Sequence, residues 1–266
     1  MRGMTDLTDA YENAAHIPGA ETYPPRWERE GDAFRREMRG AGRLRELAPE
    51  GAPPCDLILP ADPPAGLCVF VHGGYWKAMS PDVFAWVARG PVARGWAVAL
   101  ARYTLAPGAR IAAITREVAA AVEAAAAAMP DVPIVVTGHS AGGHLSARMA
   151  CEGPLGAAAD RLAKVVPISP LSDLAPLMRC EMNAILGIDE DEAAAESPAR
   201  LRPRNGVAAE IWVGGDERPA FLDQARWLAE AWDAPLTVLD GRHHFDVIDG
   251  LADPDDPLCR AVTPGA

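Results

Sequence analysis

Pro133-Ile134-Val135-Val136-Thr137 runs directly into Gly138-His139-Ser140-Ala141-Gly142, and that pentapeptide runs into Gly143-His144-Leu145-Ser146-Ala147-Arg148-Met149-Ala150-Cys151. The first segment is a short β-branched run and reads as a strand. The last has helical spacing and reads as a helix over 142–151. Between them is Gly-x-Ser-x-Gly, a turn in which strand and helix approach so closely that Cβ atoms at the glycine positions have no room. Ser140 then sits at a strained turn beside a helix N-terminus, whose free N–H groups and positive dipole end favour negative charge. The bland alternative is a glycine-rich turn with a bystander serine.

Outward from this turn a rhythm of elements appears. Short apolar runs at 56–59, 67–71, 96–100, 134–136, 165–168, 211–213 and 236–239 alternate with helix candidates at 83–93, 111–129, 142–151 and 219–232. Near-continuous apolar strands are buried on both faces, as in a parallel sheet. The alternation predicts a mostly parallel central sheet with helices on both faces, a three-layer α/β sandwich with right-handed crossovers. Residues 170–207 break the rhythm with short helical pieces and are expected over the strand C-termini, where ligands bind in such sheets. They read as a small cap-like insertion within one domain over residues 1–266. Residues 1–50 form a polar and helical lead-in, with a charged surface helix expected at 27–38. Residues 26–45 hold seven arginines against four acids, which reads as a solvated helix face in preference to an anion-binding arm.

Composition narrows the function classes. The chain has 266 residues, of which 49% are hydrophobic and 23% charged, which is ordinary globular composition. Its 25 basic against 37 acidic side chains give a formal net charge of -12. Such a surface repels nucleic-acid backbones and anionic lipid, so neither is an expected partner; a small-molecule substrate is. Five cysteines (Cys55, Cys68, Cys151, Cys180, Cys259) lack any Cys-x-x-Cys pair and read as reduced thiols of a cytoplasmic protein. The N-terminus has no apolar stretch with a cleavage site, so no signal peptide is expected. Neither a metal nor an organic cofactor is implied.

A second glycine-rich segment, His72-Gly73-Gly74-Tyr75-Trp76, directly follows the 67–71 strand. A Gly-x-Ser-x-Gly turn with such a loop after an earlier strand resembles the α/β-hydrolase fold. That resemblance implies an oxyanion hole built from the amides of Gly73 or Gly74 and of Ala141, and triad members in the chain order Ser, Asp or Glu, His. Each oxyanion donor is worth roughly 3–4 kcal/mol in the transition state. Of six histidines, His72 belongs to the loop, His139 and His144 flank the serine, and His16 lies in the polar lead-in. The pair His243-His244 follows the last strand, where the base belongs, and spacing does not choose between them. The acid belongs after the 211–213 strand, where Asp216 and Glu217 compete, with Asp173 as a third candidate one strand earlier.

The motifs His72-Gly73-Gly74-Tyr75-Trp76, Tyr103-Thr104-Leu105-Ala106-Pro107, Gly138-His139-Ser140-Ala141-Gly142-Gly143-His144-Leu145 and His244-Phe245 together resemble the kynurenine formamidases (arylformamidases) of α/β-hydrolase type. Much of the pattern is shared with hormone-sensitive-lipase-like carboxylesterases. Tyr11-x-Asn13 with Pro18, Ser169-Pro170-Leu171-Ser172-Asp173-Leu174 and Ser197-Pro198 extend the likeness over nearly the whole chain. Carried over by residue, the resemblance implies Ser140 as nucleophile and His244, which precedes a phenylalanine, as base. It also implies Glu217, two residues before Pro219, as acid. Many members carry Asp at that position, so Asp216 remains the alternative acid.

Three functions follow as expectations: an arylformamidase for an N-formylkynurenine-type substrate, a carboxylesterase for small acyl esters, and a non-catalytic hydrolase-fold binding module. A complete Ser140, His244 and oxyanion loop argues against the last. Tyr75 and Trp76 are expected to offer aromatic faces to the substrate. An amino-acid head on the substrate would need a cation, for which Arg102, Arg179 and Arg200 are candidates.

Overall fold

Side chains alternate along the central strands and divide the apolar residues between two faces of one sheet. The computed structural model describes residues 6–265. Its strands are β1 (Leu44–Leu47), β2 (Cys55–Ile58), β3 (Leu67–Val71), β4 (Ala97–Ala101), β5 (Ile134–His139), β6 (Leu162–Ile168), β7 (Ala208–Ala209), β8 (Ile211–Gly214) and β9 (Leu236–Leu239). The helices are α1 (Tyr23–Gly40), α2 (Arg89–Ala93), α3 (Ile111–Ala128), α4 (Ala141–Ala150), α5 (Asn183–Leu186), α6 (Glu190–Glu196), α7 (Pro219–Trp232) and α8 (Pro257–Val262).

Among the described residues the sheet has nine strands in the order β1-β2-β4-β3-β5-β6-β8-β9, with β7 alongside β6. The β1–β2 and β2–β4 pairs are antiparallel, and the β4–β3, β3–β5, β5–β6 and β8–β9 pairs are parallel. On β3, Leu67, Val69 and Val71 join α3 and α4 in one core, while Cys68 and Phe70 join α1, α2 and α8 in another. On β8, Ile211 and Val213 pack on α7 and Trp212 packs on the opposite side. This period-two division makes the three layers. The fold is that of the α/β hydrolases, with a mostly parallel sheet flanked by helices.

Local chemistry explains where the elements differ from the sequence expectations. Helix α1 starts earlier than expected because Pro24 and Pro25 occupy its first turn, where a missing N–H is harmless. It ends where Gly42 takes φ 66° and the Arg43 N–H closes back on the Met38 carbonyl. Only one of its faces is solvated. Trp27, Gly31, Phe34 and Met38 are buried, and Arg26 and Arg35 pair with Asp249, Asp56 and Asp82. The expected helix at 83–93 is a 3₁₀ turn, Ala85–Ala88, followed by α2. Pro91 can stand only in the first turn of α2, so the α-helix begins late. Strand β1 was not expected, because its two central residues, Arg45 and Glu46, are exposed at the sheet edge. Strand β9 was expected to be buried on both faces. It is the opposite edge, and Val238 is 46% exposed.

Residues 170–207 pack against the α3 and α4 side. Glu192 accepts hydrogen bonds from Arg110 and the Ala112 amide, and Glu196 pairs with buried Arg148 at 2.9 Å. Asp189 caps α6 by accepting from the Glu192 N–H. No helix among the described residues is long and apolar enough to cross a membrane.

Candidate active site

Ser140 stands between β5 and α4 with φ 58° and ψ -116°, a conformation that costs energy for any residue with a side chain and is held by its surroundings. Those surroundings are glycines in close contact. A Cβ on Gly138 would lie 2.3 Å from the Gly142 carbonyl oxygen, and one on Gly142 would lie 1.9 Å from the Val71 oxygen. The spacing of the pentapeptide is therefore set by backbone contact between β5, α4 and β3.

The loop after β3 runs beside this turn. Gly74 has φ 104°, and a Cβ there would meet the Ala78 oxygen at 2.3 Å, so the loop can close only with glycine. His72 anchors it from below. Its ring stacks on Tyr103 with centroids 4.3 Å apart, and the Tyr103 hydroxyl donates to the His72 carbonyl at 3.1 Å. Burial pushes the His72 pKa down to about 4, so the ring is neutral there. The Ala141 N–H is the first of α4 and has no partner inside the helix.

His244 and Glu217 come from loops after β9 and β8. The His244 Nδ1–H donates to Glu217 Oε2 at 2.6 Å. Glu217 Oε1 accepts from the Gly214 amide at 2.9 Å and from the Ser169 hydroxyl. The loop after β9 lies over β8: a Cβ on Gly214 would lie 2.3 Å from the Arg242 carbonyl oxygen. His243 points elsewhere. Its Nε2 meets the Tyr23 hydroxyl at 3.0 Å, and its Nδ1 accepts from the Phe245 amide. Asp216 is exposed, and Asp173 pairs with Arg200 at 2.9 Å.

Ser140, Gly73, Gly74, His139 and His244 line one cavity of about 210 Å³ together with Glu12, Asn13, Ala14, Trp27, Tyr75, Met79, Phe84 and Phe245. Ser140 Oγ is buried and has no hydrogen-bond partner among the described residues, so the serine–histidine contact is not closed in this conformation. Catalytic contacts of this kind often tighten only with substrate present. His139 packs against His244 with ring centroids 4.5 Å apart and the ring planes tilted by 43°. Burial, and then the neighbouring His244, holds its pKa well below the ordinary imidazole value.

Tyr75 lines the cavity, but Trp76 does not. The Trp76 indole is fully buried in the core on the α3 side, with its ring edge-on to His144 at 5.1 Å. An indole this large stabilises the fold most when wholly out of water. Nor do residues 170–207 reach the cavity; the N-terminal segment covers it instead. Tyr11 is buried, and its hydroxyl accepts from Gln224 Nε2 at 2.9 Å. The Tyr75 hydroxyl donates to the Tyr11 carbonyl, which holds Glu12–Ala14 over the serine.

None of the candidate cations lines the cavity. Arg102 is paired with Asp82, and Arg200 with Asp173. Sequence reasoning also missed Ser169, whose hydroxyl holds Glu217, and the wall formed by Trp27, Phe84 and Phe245. The signal for Trp27 was its spacing with Gly31, Phe34 and Met38, an apolar stripe at helical period. Among the described residues no cluster of three or more His, Cys, Asp or Glu side chains is arranged to hold a metal ion.

A family described as having the α/β-hydrolase fold matches residues 68–232. A kynurenine formamidase of Danio rerio is 26% identical over 221 residues, covering 78% of this chain and 75% of that protein. A crystal structure from Silicibacter sp. TM1040, described provisionally as a thioesterase, is 48% identical with a TM-score of 0.93 and covers 98% of this chain and 100% of that one. An esterase of Pyrobaculum calidifontis shares the fold at 18% identity, with a TM-score of 0.67 and 91% of each chain covered. The match over more than half of the chain, on a sheet of this topology, means that the protein belongs to the α/β-hydrolase fold family.

Proposed function

We propose that the chain is a serine hydrolase that removes a small acyl or formyl group through an acyl-enzyme, and that it acts as an arylformamidase on substrates of the N-formylkynurenine type. The observation that carries the reading is Ser140 on a strained turn, in a cavity shared with His244, whose far nitrogen is bonded to buried Glu217. In this reading the His244 Nε2 takes the Ser140 proton as Oγ attacks the formyl carbon. The Gly73, Gly74 and Ala141 amides receive the oxyanion, worth roughly 3 kcal/mol per donor. Glu217 fixes the imidazole tautomer and stabilises imidazolium. His244 then returns the proton to the departing amine, and a water, deprotonated the same way, releases formate from the serine ester. No cofactor enters these steps.

Several features support the choice of substrate. The cavity is small for a ligand pocket and is walled by Trp27, Phe84, Met79 and Phe245, which suits a one-carbon acyl group on an aromatic amine. Relatives at about a quarter identity are kynurenine formamidases. The second reading, a carboxylesterase for small acyl esters, draws on the relative provisionally described as a thioesterase and uses the same residues. A net charge of -12 speaks for a small-molecule substrate and against nucleic acid or membrane as partner. Five free, buried cysteines fit the reducing cytoplasm.

The test is kcat/KM for N-formylkynurenine against that for a short-chain aryl ester. Preference for the formamide is expected. Ester turnover with negligible formamide activity would leave the esterase reading, and turnover of neither would return the binding module.

A further inference from the structure

The N-terminal segment places one polar group in the cavity that the chemistry above does not use. Asn13 is 6% exposed and lines the same cavity as Ser140. Its Oδ1 is buried with no hydrogen-bond partner among the described residues. A carboxamide oxygen withdrawn from water and left unpaired is destabilising, and native folds keep few of them. Here the segment is fastened on both sides of that oxygen. The Tyr11 carbonyl accepts from Tyr75, and the Asn13 carbonyl accepts from the His16 amide. The side chain is thus presented to the cavity at a fixed place.

Its neighbour adds a charge. Glu12 is exposed and lines the same cavity, so its carboxylate stands at the mouth. No lysine or arginine is among the described lining residues. Apart from Ser140, His139, His244 and the loop glycines, the remaining wall is aromatic and aliphatic. Beyond Ser140 and the two histidines, a molecule that fills this space finds an apolar slot, the buried Asn13 oxygen as a hydrogen-bond acceptor and one negative charge at the rim.

We propose that Asn13 and Glu12 form the leaving-group subsite of this hydrolase, with Asn13 accepting an N–H from the departing amine and Glu12 favouring a leaving group that brings an ammonium to the rim over one whose only charge is a carboxylate. The proposal rests on the serine-hydrolase reading and deepens it. An amide substrate carries an N–H beside the scissile bond, and an ester carries none there. A site that buries an acceptor for that N–H discriminates against the analogue without it, because the acceptor then stays unpaired. Glu12 acts through charge alone and in contact with water, so its effect is smaller and weakens with salt. In N-formylkynurenine the group Glu12 would meet is the α-ammonium.

The experiment uses the full chain and two matched series, formanilides and phenyl acetates. Each carries methyl, aminomethyl or carboxymethyl at the same ring position. Asn13→Leu, close to Asn in size but without the acceptor, is expected to lower kcat/KM on the formanilides by about tenfold or more and to change the acetates less than threefold. Asn13→Asp, which keeps an acceptor in the same place, is expected to retain the formanilide preference. Equal loss on both series in Asn13→Leu would mean a packing role and overturn the assignment, as would no loss on either. Glu12→Gln is expected to lower the aminomethyl-to-carboxymethyl ratio severalfold; an unchanged ratio overturns the charge selection. Failure of the underlying reading gives a different result, since wild-type protein would then hydrolyse no formanilide at all.

Discussion

Glu217 and His244 meet at 2.6 Å between Oε2 and Nδ1, with the two side chains 0% and 5% exposed. The second oxygen of Glu217 is held by the Gly214 amide and the Ser169 hydroxyl, so the carboxylate cannot rotate away from the imidazole. Ser169 itself has φ 47°, which puts a second strained serine at a strand end next to the first. Water exclusion strengthens each of these bonds.

Glu217→Gln follows directly from that arrangement. The amide offers Nδ1 either a donor or a neutral acceptor, and the imidazole loses both its fixed tautomer and the charge that stabilises imidazolium. A fall in kcat of about 10⁴-fold is expected. Asp216→Asn removes an exposed carboxylate and should stay within threefold of wild type. Steady-state kinetics on any turned-over substrate reads both, and a dead Asp216 variant beside an active Glu217 one would reassign the acid.

Ser140→Ala removes the attacking oxygen while leaving the glycine contacts around it untouched. Its kcat is expected to fall by about 10⁶-fold, with thermal unfolding within a few degrees of wild type. Turnover near the wild-type rate would rule out an acyl-enzyme on this serine.

Local patterns made the frame legible. The β5–Ser140–α4 turn could be read because its glycines answer to backbone contacts a few residues apart, and the alternation on β3 and β8 because burial on both faces leaves apolar runs. Glu217 and His244 were not separable from Asp216 and His243 by spacing, since neighbouring residues share a loop and differ only in direction; family resemblance made that choice. The cavity wall was the least legible part. Trp27 and Asn13 come from the first thirty residues and reach the serine only through long-range packing, here the Tyr11–Gln224 and Tyr23–His243 hydrogen bonds. Trp76 misled because a residue beside the oxyanion loop in sequence can still turn into the core.

The histidine pair separates function from fastening. His244→Ala should lose activity to the same extent as Ser140→Ala. His243 bonds Tyr23 of α1 and meets its ring edge-on at 5.3 Å, so His243→Ala loosens the helix over the cavity while leaving His244, the proposed base, in place. Activity within about tenfold of wild type is expected, together with a loss of roughly 1 kcal/mol in stability. Urea unfolding alongside kinetics checks both, and an inactive His243→Ala with an active His244→Ala would exchange their roles.

His144 is fully buried on α4; its Nε2–H donates to the Glu196 carbonyl at 2.6 Å, and its Nδ1 has no partner among the described residues. Burial, with nearby Arg148 adding to it, pushes its pKa from 6.5 down to about 4, against the opposing pull of Glu196. Above pH 6.5 neither folded nor unfolded chain protonates this ring, and it has no effect on stability. Between pH 6.5 and 4 the unfolded chain takes up a proton that the folded chain refuses, so stability falls as pH falls, by up to about 1.4 kcal/mol per unit. Below pH 4 both states are protonated and the contribution levels off. His144→Gln keeps a donor for the Glu196 carbonyl but cannot titrate, and the carboxylates common to both proteins titrate alike. Its unfolding free energy should therefore decline less steeply than wild type between pH 6.5 and 4, by about that slope, in urea titrations across the range. Parallel curves would mean that His144 takes its proton as readily inside the fold as outside it.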